Sequence, residues 1–259
     1  ESTQLFRRRG HWGFRGLFVS QPTNDNIEIA AVDRDASYFY LVEGKIVSKN
    51  FIEKSRQKVD LKGGSEPIAI TKCLEKYFVN LRNQKQMVVV GHDKHRKLVV
   101  LQRVDIDGLS RSSVASGNFT KAKVPEIVIG LWGGDPKNIN EVQPGRVMIA
   151  SLNQDGLIAD VNYIDAGINP TDVAVGDFDG DGIDELAILN YGAGLGPYDR
   201  AHNGGIQIFK KINGNFKSQA FVPLSNPRIA KVVDIDGDGK DELLVSLFFE
   251  RKIALIKFS

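Results

Sequence analysis

Two nine-residue windows, Asp177-Phe-Asp-Gly-Asp-Gly-Ile-Asp-Glu185 and Asp234-Ile-Asp-Gly-Asp-Gly-Lys-Asp-Glu242, place carboxylates at positions 1, 3, 5 and 9. Glycines at positions 4 and 6 permit a tight loop, and position 7 can offer its backbone carbonyl. A hard divalent cation is satisfied by six to eight oxygens at about 2.3–2.6 Å, which such a loop can supply. The expected ligands are Asp177, Asp179, Asp181, the Ile183 carbonyl and Glu185, and in the second window Asp234, Asp236, Asp238, the Lys240 carbonyl and Glu242. Without a cation these carboxylates repel one another, at roughly 3 kcal/mol per pair for ~5 Å and an effective dielectric constant of about 20. Magnesium prefers few carboxylates and keeps its water, so two Ca2+ sites are expected. Asp184 falls outside the ligand set and is expected to staple the loop by hydrogen bonding.

The elements that must position these loops show themselves as a repeat. Val173–Leu189 aligns with Lys231–Val245, and Gly117–Gly130 aligns as a third copy with Glu126 at the place of Glu185. A fainter copy spans Ser20–Val32, with Glu28 at that place. Another unit starts at Pro67-Ile-Ala-Ile-Thr and is expected to reach its second strand at Gln86-Met-Val-Val-Val-Gly91 after an insertion. Five units therefore begin near residues 14, 67, 113, 172 and 230. In the fourth, short alternating runs predict strands at Asp172–Gly176, Glu185–Asn190, Gly205–Lys211 and Phe216–Pro223. Asn213-Gly214 is a hairpin signal, because a two-residue type I′ turn needs positive φ at both positions.

Four antiparallel strands per repeat imply an all-β, five-bladed β-propeller, with blades near residues 11–62, 63–110, 111–168, 169–227 and 228–259 plus 1–10. The last unit has only three strand candidates, so the N-terminal segment Thr3–Arg8 is expected to close it and cover its open edge. One helix is expected, at Lys72–Leu81, from Leu74, Phe78 and Leu81 at i, i+4 and i+7. In the third loop Asn118, Thr120 and Ala122 stand where the other loops have aspartates, and Lys121 and Lys123 bring positive charge. An ammonium is expected to replace the cation there.

Asp177–Glu185 and Asp234–Glu242, followed by Leu-Ala-Ile-Leu and Leu-Leu-Val-Ser, resemble the FG-GAP and VCBS-type repeats of the integrin α-chain propeller and of many bacterial extracellular proteins. The likeness is specific over residues 169–259, fair over 111–168 and weak before that. Glutamate stands at position 9, where the family usually has aspartate, and only two blades keep the ligands. The resemblance implies a structural ion and a role in recognition or scaffolding in a calcium-containing extracellular or periplasmic space. It implies no reaction.

Composition narrows the remaining choices. The 259 residues are 42% apolar with a net charge of +2, ordinary for a globular protein. The single cysteine, Cys73, excludes an intrachain disulfide and a thiolate zinc cluster. Ten of the 32 acids lie in the two windows, leaving 22 acids against 33 bases elsewhere. With the loops neutralised by metal, the rest would present a basic surface. No apolar run approaches the ~18 residues of a membrane-spanning helix. The segment from Glu1 to Arg9 lacks the apolar core of a secretory signal, and a start at glutamate fits a mature extracellular or periplasmic form.

Catalytic motifs are missing from the sequence: there is no Gly-x-Ser-x-Gly, no P-loop and no His-Glu-x-x-His. His92 and His95 fall at an expected hairpin tip, where surface-turn histidines are ordinary. Partner contact is expected from Trp132, Tyr191 and Tyr198 in long loops, which could stack on a sugar or peptide, or pack between blades. Arg7, Arg8 and Arg9, set among aromatics, could meet a polyanion or form a solvated strand end. The expected function is a non-enzymatic, calcium-stabilised interaction or adhesion module for a protein or an anionic glycan. A carbohydrate-active lyase or glycosidase, and a structural subunit of a surface assembly, are the alternatives, and nucleic acid is not the expected partner.

Overall fold

The computed structural model describes residues 14–23, 25–110, 113–122, 124–133, 144–192 and 204–258. They form nineteen strands and, among the described residues, no helix. The strands divide into five antiparallel sheets, the blades of a five-bladed propeller fold. The chain forms two compact units, one ending at Ile106 and the other starting at Asp107.

The first unit holds two blades. Blade one contains β1 (Phe14–Thr23), β2 (Asn26–Asp33), β3 (Tyr38–Val47) and β4 (Asn50–Asp60); blade two contains β5 (Pro67–Cys73), β6 (Lys76–Leu81), β7 (Gln86–His92) and β8 (Leu98–Asp105). Between them lies a core of Val32, Phe39, Leu41, Leu61, Tyr77, Val79 and Leu81 with their neighbours.

Residues 72–81 form a β-hairpin, not a helix. Cys73 pairs with Lys76 across a two-residue turn in which Leu74 and Glu75 have φ of 46° and 57°. Leu74, counted as part of an apolar helical face, is half exposed at the tip of this hairpin. Tyr77, Phe78 and Val79 suit a pleated surface better than a helix, and burial of β6 on both faces removes the alternation that would have marked it. Gln86–Gly91 consequently belongs to the third strand of its blade, and the presumed insertion is the second.

Three blades make up the second unit. Blade three contains β9 (Val114–Gly117), β10 (Glu126–Leu131), β11 (Pro144–Leu152) and β12 (Ile158–Ile168). Blade four contains β13 (Pro170–Gly176), β14 (Glu185–Asn190), β15 (Gly205–Ile212) and β16 (Asn215–Pro223). Blade five has three described strands, β17 (Pro227–Val233), β18 (Glu242–Leu247) and β19 (Lys252–Ile256). The expected closing strand Thr3–Arg8 lies outside the described residues.

Second strands such as β10 and β14 are buried along their whole length, and β14 lies between β12 of blade three and β17 of blade five. Outer strands such as β16 are mostly exposed. The β15–β16 turn has Asn213 and Gly214 at φ of 51° and 81°, the pair of positive values that a type I′ hairpin requires.

Candidate metal centre

Each acidic window joins the first strand of its blade to the second: 177–184 links β13 to β14, and 234–241 links β17 to β18. The glycines at positions 4 and 6 have φ of 78° and 81° in the first loop, and 76° and 86° in the second. A side chain would strain all four positions, so these residues set the loop's curvature.

Curling brings backbone N–H groups onto the aspartates. Asp177 Oδ1 accepts from Gly180 and Asp181 at 2.8 and 3.0 Å, and its Oδ2 accepts from Gly182 at 2.8 Å. Asp179 Oδ1 takes the Asp181 N–H and Asp181 Oδ1 takes the Ile183 N–H. Asp234 likewise accepts from Gly237 and Gly239, Asp236 from Asp238, and Asp238 from Lys240 at 2.9 Å. Backbone bonds thus hold one oxygen each of Asp179, Asp181, Asp236 and Asp238, leaving the other oxygen for a cation.

The glutamates close the loops from below and are almost fully buried. Glu185 Oε2 accepts the Phe178 N–H at 2.9 Å, and Glu242 Oε2 accepts the Ile235 N–H at 2.9 Å. Ligand oxygens of Asp177, Asp179 and Glu185 lie within 4.8 Å of one another, as do those of Asp234, Asp236 and Glu242. Buried Glu185 Oε1 accepts no well-angled hydrogen bond, although Lys210 Nζ stands 2.9 Å away as an ion-pair partner. A buried carboxylate oxygen turned toward two further carboxylates is a donor set suited to a hard divalent cation, so these residues fit calcium. Burial raises the Glu185 carboxyl above its usual range, and the Lys210 ammonium opposes that shift.

Asp184 does act as a staple, but between blades. Its Oδ2 accepts the Asn118 N–H at 2.6 Å, while its own N–H donates to the Asn118 carbonyl at 3.1 Å. Asp241 repeats the arrangement on Asp177, with both bonds at 2.9 Å. The residue before each loop glutamate therefore clamps the loop of the preceding blade, and the second acidic loop is tied directly to the first. Asp184→Ala should cost about 1–3 kcal/mol, the loss of a charge-assisted hydrogen bond to the half-buried Asn118 N–H. The loss should be equal in calcium and in chelator when melting is followed by circular dichroism, because Asp184 Oδ2 is turned to Asn118 of the preceding blade.

In the third loop an ammonium does meet the glutamate, but it is neither of the expected lysines. Lys211, on β15 of the neighbouring blade, reaches Glu126 Oε2 at 2.5 Å, while Lys121 is exposed and Lys123 lies outside the described residues. Glu28 in blade one is met in the same way by Lys72 of blade two, at 3.1 Å. Sequence distance hid both pairs, which join residues 85 and 44 positions apart.

Among the expected contact residues, Trp132 is half-buried and bridges to Leu109. Tyr191 is buried, with the Arg228 guanidinium 6.0 Å from its ring centroid, so its ring packs inside the unit. Tyr198, Arg7, Arg8 and Arg9 lie outside the described residues. His92 and His95 flank an exposed turn organised by Asp93, which accepts the His95 and Lys97 N–H groups. Among the described residues, the two acidic loops are the only groups of three or more His, Cys, Asp or Glu placed to share an ion.

Residues 169–209, which hold the first acidic loop, match the family model of the FG-GAP repeat. No curated protein matches the chain. Among solved structures, the periplasmic gluconolactonase of Pseudomonas aeruginosa superposes with a TM-score of 0.52 at 13% identity, over 83% of this chain and 55% of that one. The chain thus spans little more than half of the gluconolactonase's length. A functionally unknown protein from Desulfotomaculum acetoxidans gives a TM-score of 0.46 at 11% identity, over 91% of this chain and 76% of the other. The rhamnogalacturonan lyase PL11 of Bacillus licheniformis gives 0.38 at 11% identity, over 90% and 58%. At such identities the likeness to the gluconolactonase is one of fold.

Proposed function

We propose that the protein is a calcium-stabilised interaction module acting outside the cytoplasm, with a protein or an anionic glycan as its partner. The observation that carries this reading is the pair of loops in which backbone bonds fix the aspartates while further carboxylate oxygens converge on one point. When bound, calcium would supply positive charge that offsets carboxylate repulsion and braces the loop between the first two strands of each blade. Asp177, Asp179, Asp181 and Glu185 would hold one ion, and Asp234, Asp236, Asp238 and Glu242 the other, with the Ile183 and Lys240 carbonyls completing the two sets. The FG-GAP match over the first loop supports the assignment.

A ligand at 100 times its Kd stabilises by about 2.7 kcal/mol per site. Calcium at both sites should therefore raise the melting temperature by roughly 10–20 °C relative to chelator, at ~2–4 °C per kcal/mol for a chain of this size. Identical melting curves, together with no calcium heat in titration calorimetry, would remove the assignment. The partner is sought by glycan array and pull-down in calcium, repeated in chelator. Lactonase or lyase chemistry on this scaffold would instead need acid, base or metal groups converging on a substrate, and turnover of lactones or acidic polysaccharides by the purified chain would establish it.

A further inference from the structure

Both acidic loops already hold a cation drawn from the chain itself. Lys210 Nζ lies against Asp179 Oδ2, 2.8 Å from Asp181 Oδ2 and 2.9 Å from Glu185 Oε1. Lys257 Nζ lies against Asp236 Oδ2 and 3.4 Å from Glu242 Oε1.

Sheet register puts both lysines there. Leu186 pairs with Phe209, which sets Lys210 opposite Glu185 across β14 and β15. Leu243 pairs with Ile256, which sets Lys257 opposite Glu242, just beyond β19. The same position in blade three is Ser151, paired with Glu126 and bonded to it at 3.3 Å. In blade one it is Glu43, opposite Glu28. A lysine thus stands across from the buried glutamate in the two blades with intact acidic loops. In the two blades whose loops have lost their aspartates it does not, and there the glutamate is met by a lysine of the next blade. Glutamate burial alone does not account for this pattern, since all four glutamates are buried. The presence of the loop carboxylates does.

We propose that Lys210 and Lys257 are resident counter-ions of the calcium loops, which keep the loops folded at low calcium and must be displaced for calcium to bind. The inference rests on the calcium reading above and adds what sets the affinity. A lysine ammonium carries one charge on a flexible four-carbon stem, so it can partly neutralise the carboxylates and still swing out to solvent. The oxygens that Lys210 engages are those left over by the loop backbone, so lysine and divalent ion compete for the same atoms. A site that is open only a fraction of the time binds with its intrinsic Kd divided by that fraction. The lysines therefore shift calcium binding toward the higher concentrations typical of extracellular modules. The two loops differ in degree: Lys210 is mostly buried among three carboxylates, whereas Lys257 is half exposed and meets two.

The test compares the full chain with Lys210→Met, Lys257→Met and Lys211→Met, by calcium titration calorimetry and by melting in chelator. Removing the resident charge should tighten calcium binding at the affected loop by about ten-fold in Lys210→Met, and less in Lys257→Met. Both variants should melt below the parent in chelator, because the carboxylates lose their counter-ion. Lys211→Met removes a neighbouring lysine that serves Glu126; it should lower the melting point without changing calcium affinity. Should Lys210→Met fail to fold, Lys257→Met decides. If the parent binds calcium and the Lys210 and Lys257 variants bind it equally or more weakly, the lysines are ordinary ion pairs and the proposal is overturned while the calcium reading stands. If neither parent nor variants bind calcium, the calcium reading fails and the proposal falls with it.

Discussion

Asp172→Ala should lower stability by about 2–4 kcal/mol, because it orphans a buried donor of one neighbouring blade and half-buried donors of another at once. The Asp172 side chain, 5% exposed, accepts the Ala230 N–H of β17 at 2.9 Å. It also accepts the Ser113 N–H at 3.3 Å and a short bond from the Ser113 hydroxyl, just before β9. One carboxylate on β13 therefore ties blade four to blades three and five near their first strands. At ~2–4 °C per kcal/mol the melting point should drop by roughly 5–15 °C, in calcium and chelator alike. Asp172→Asn keeps an acceptor and should lose less. Burial, the largest influence, raises the Asp172 carboxyl above its usual range, against the bonds from Ser113 and Ala230. Its contribution is therefore fully present below the unfolded-state value and is lost as pH rises through the raised folded value. The asparagine variant should flatten that part of the stability–pH curve, and melting across mild acid checks it. An alanine variant within 1 °C of the parent would show that the blades are not joined through this side chain.

Phe178→Ala should cost about 3–5 kcal/mol, the usual loss for truncating a buried aromatic. Phe178 is the second residue of the first acidic loop, yet it is only 1% exposed. Its ring sits in the core shared by blades four and five and packs 4.9 Å from Phe258. Its N–H is the donor to Glu185 Oε2, so core packing and ligand placement meet in one residue. Truncation should therefore weaken calcium binding at that loop as well as stability, measured by calorimetry on the folded fraction. Phe119 of the third loop is buried in a comparable way, packing 5.0 Å from Phe216 of the next blade. Phe178→Leu, which keeps most of the buried volume, should retain most of both properties. Unchanged calcium affinity in a destabilised Phe178→Ala would separate the loop from the core behind it.

Local rules set much of this protein, because its blades are short-range objects. The loops could be read from sequence as candidate metal loops because their carboxylates lie within nine residues and their glycines are fixed by the required φ. The four strands of blade four and the Asn213-Gly214 turn were equally legible, since alternation and turn chemistry act between neighbours. The helix expected at 72–81 failed for a local reason of another kind: a strand buried on both faces loses its alternation, and three leucine and phenylalanine positions then imitate a helical stripe. Contacts between blades could not be read from spacing. The Asp184 and Asp241 clamps, the reach of Lys211 to Glu126 and the embrace of Asp172 all join residues 58 to 85 positions apart. Even Lys210 and Lys257, which stand across from their glutamates, are 25 and 15 residues away from them, separations set by strand and loop lengths that no motif encodes. Sequence alone determined which atoms could gather around an ion, because covalent spacing brings those atoms together. Tertiary structure decided which lysine meets them and which blade each loop grips, because these depend on sheet register and on the stacking of one blade against the next.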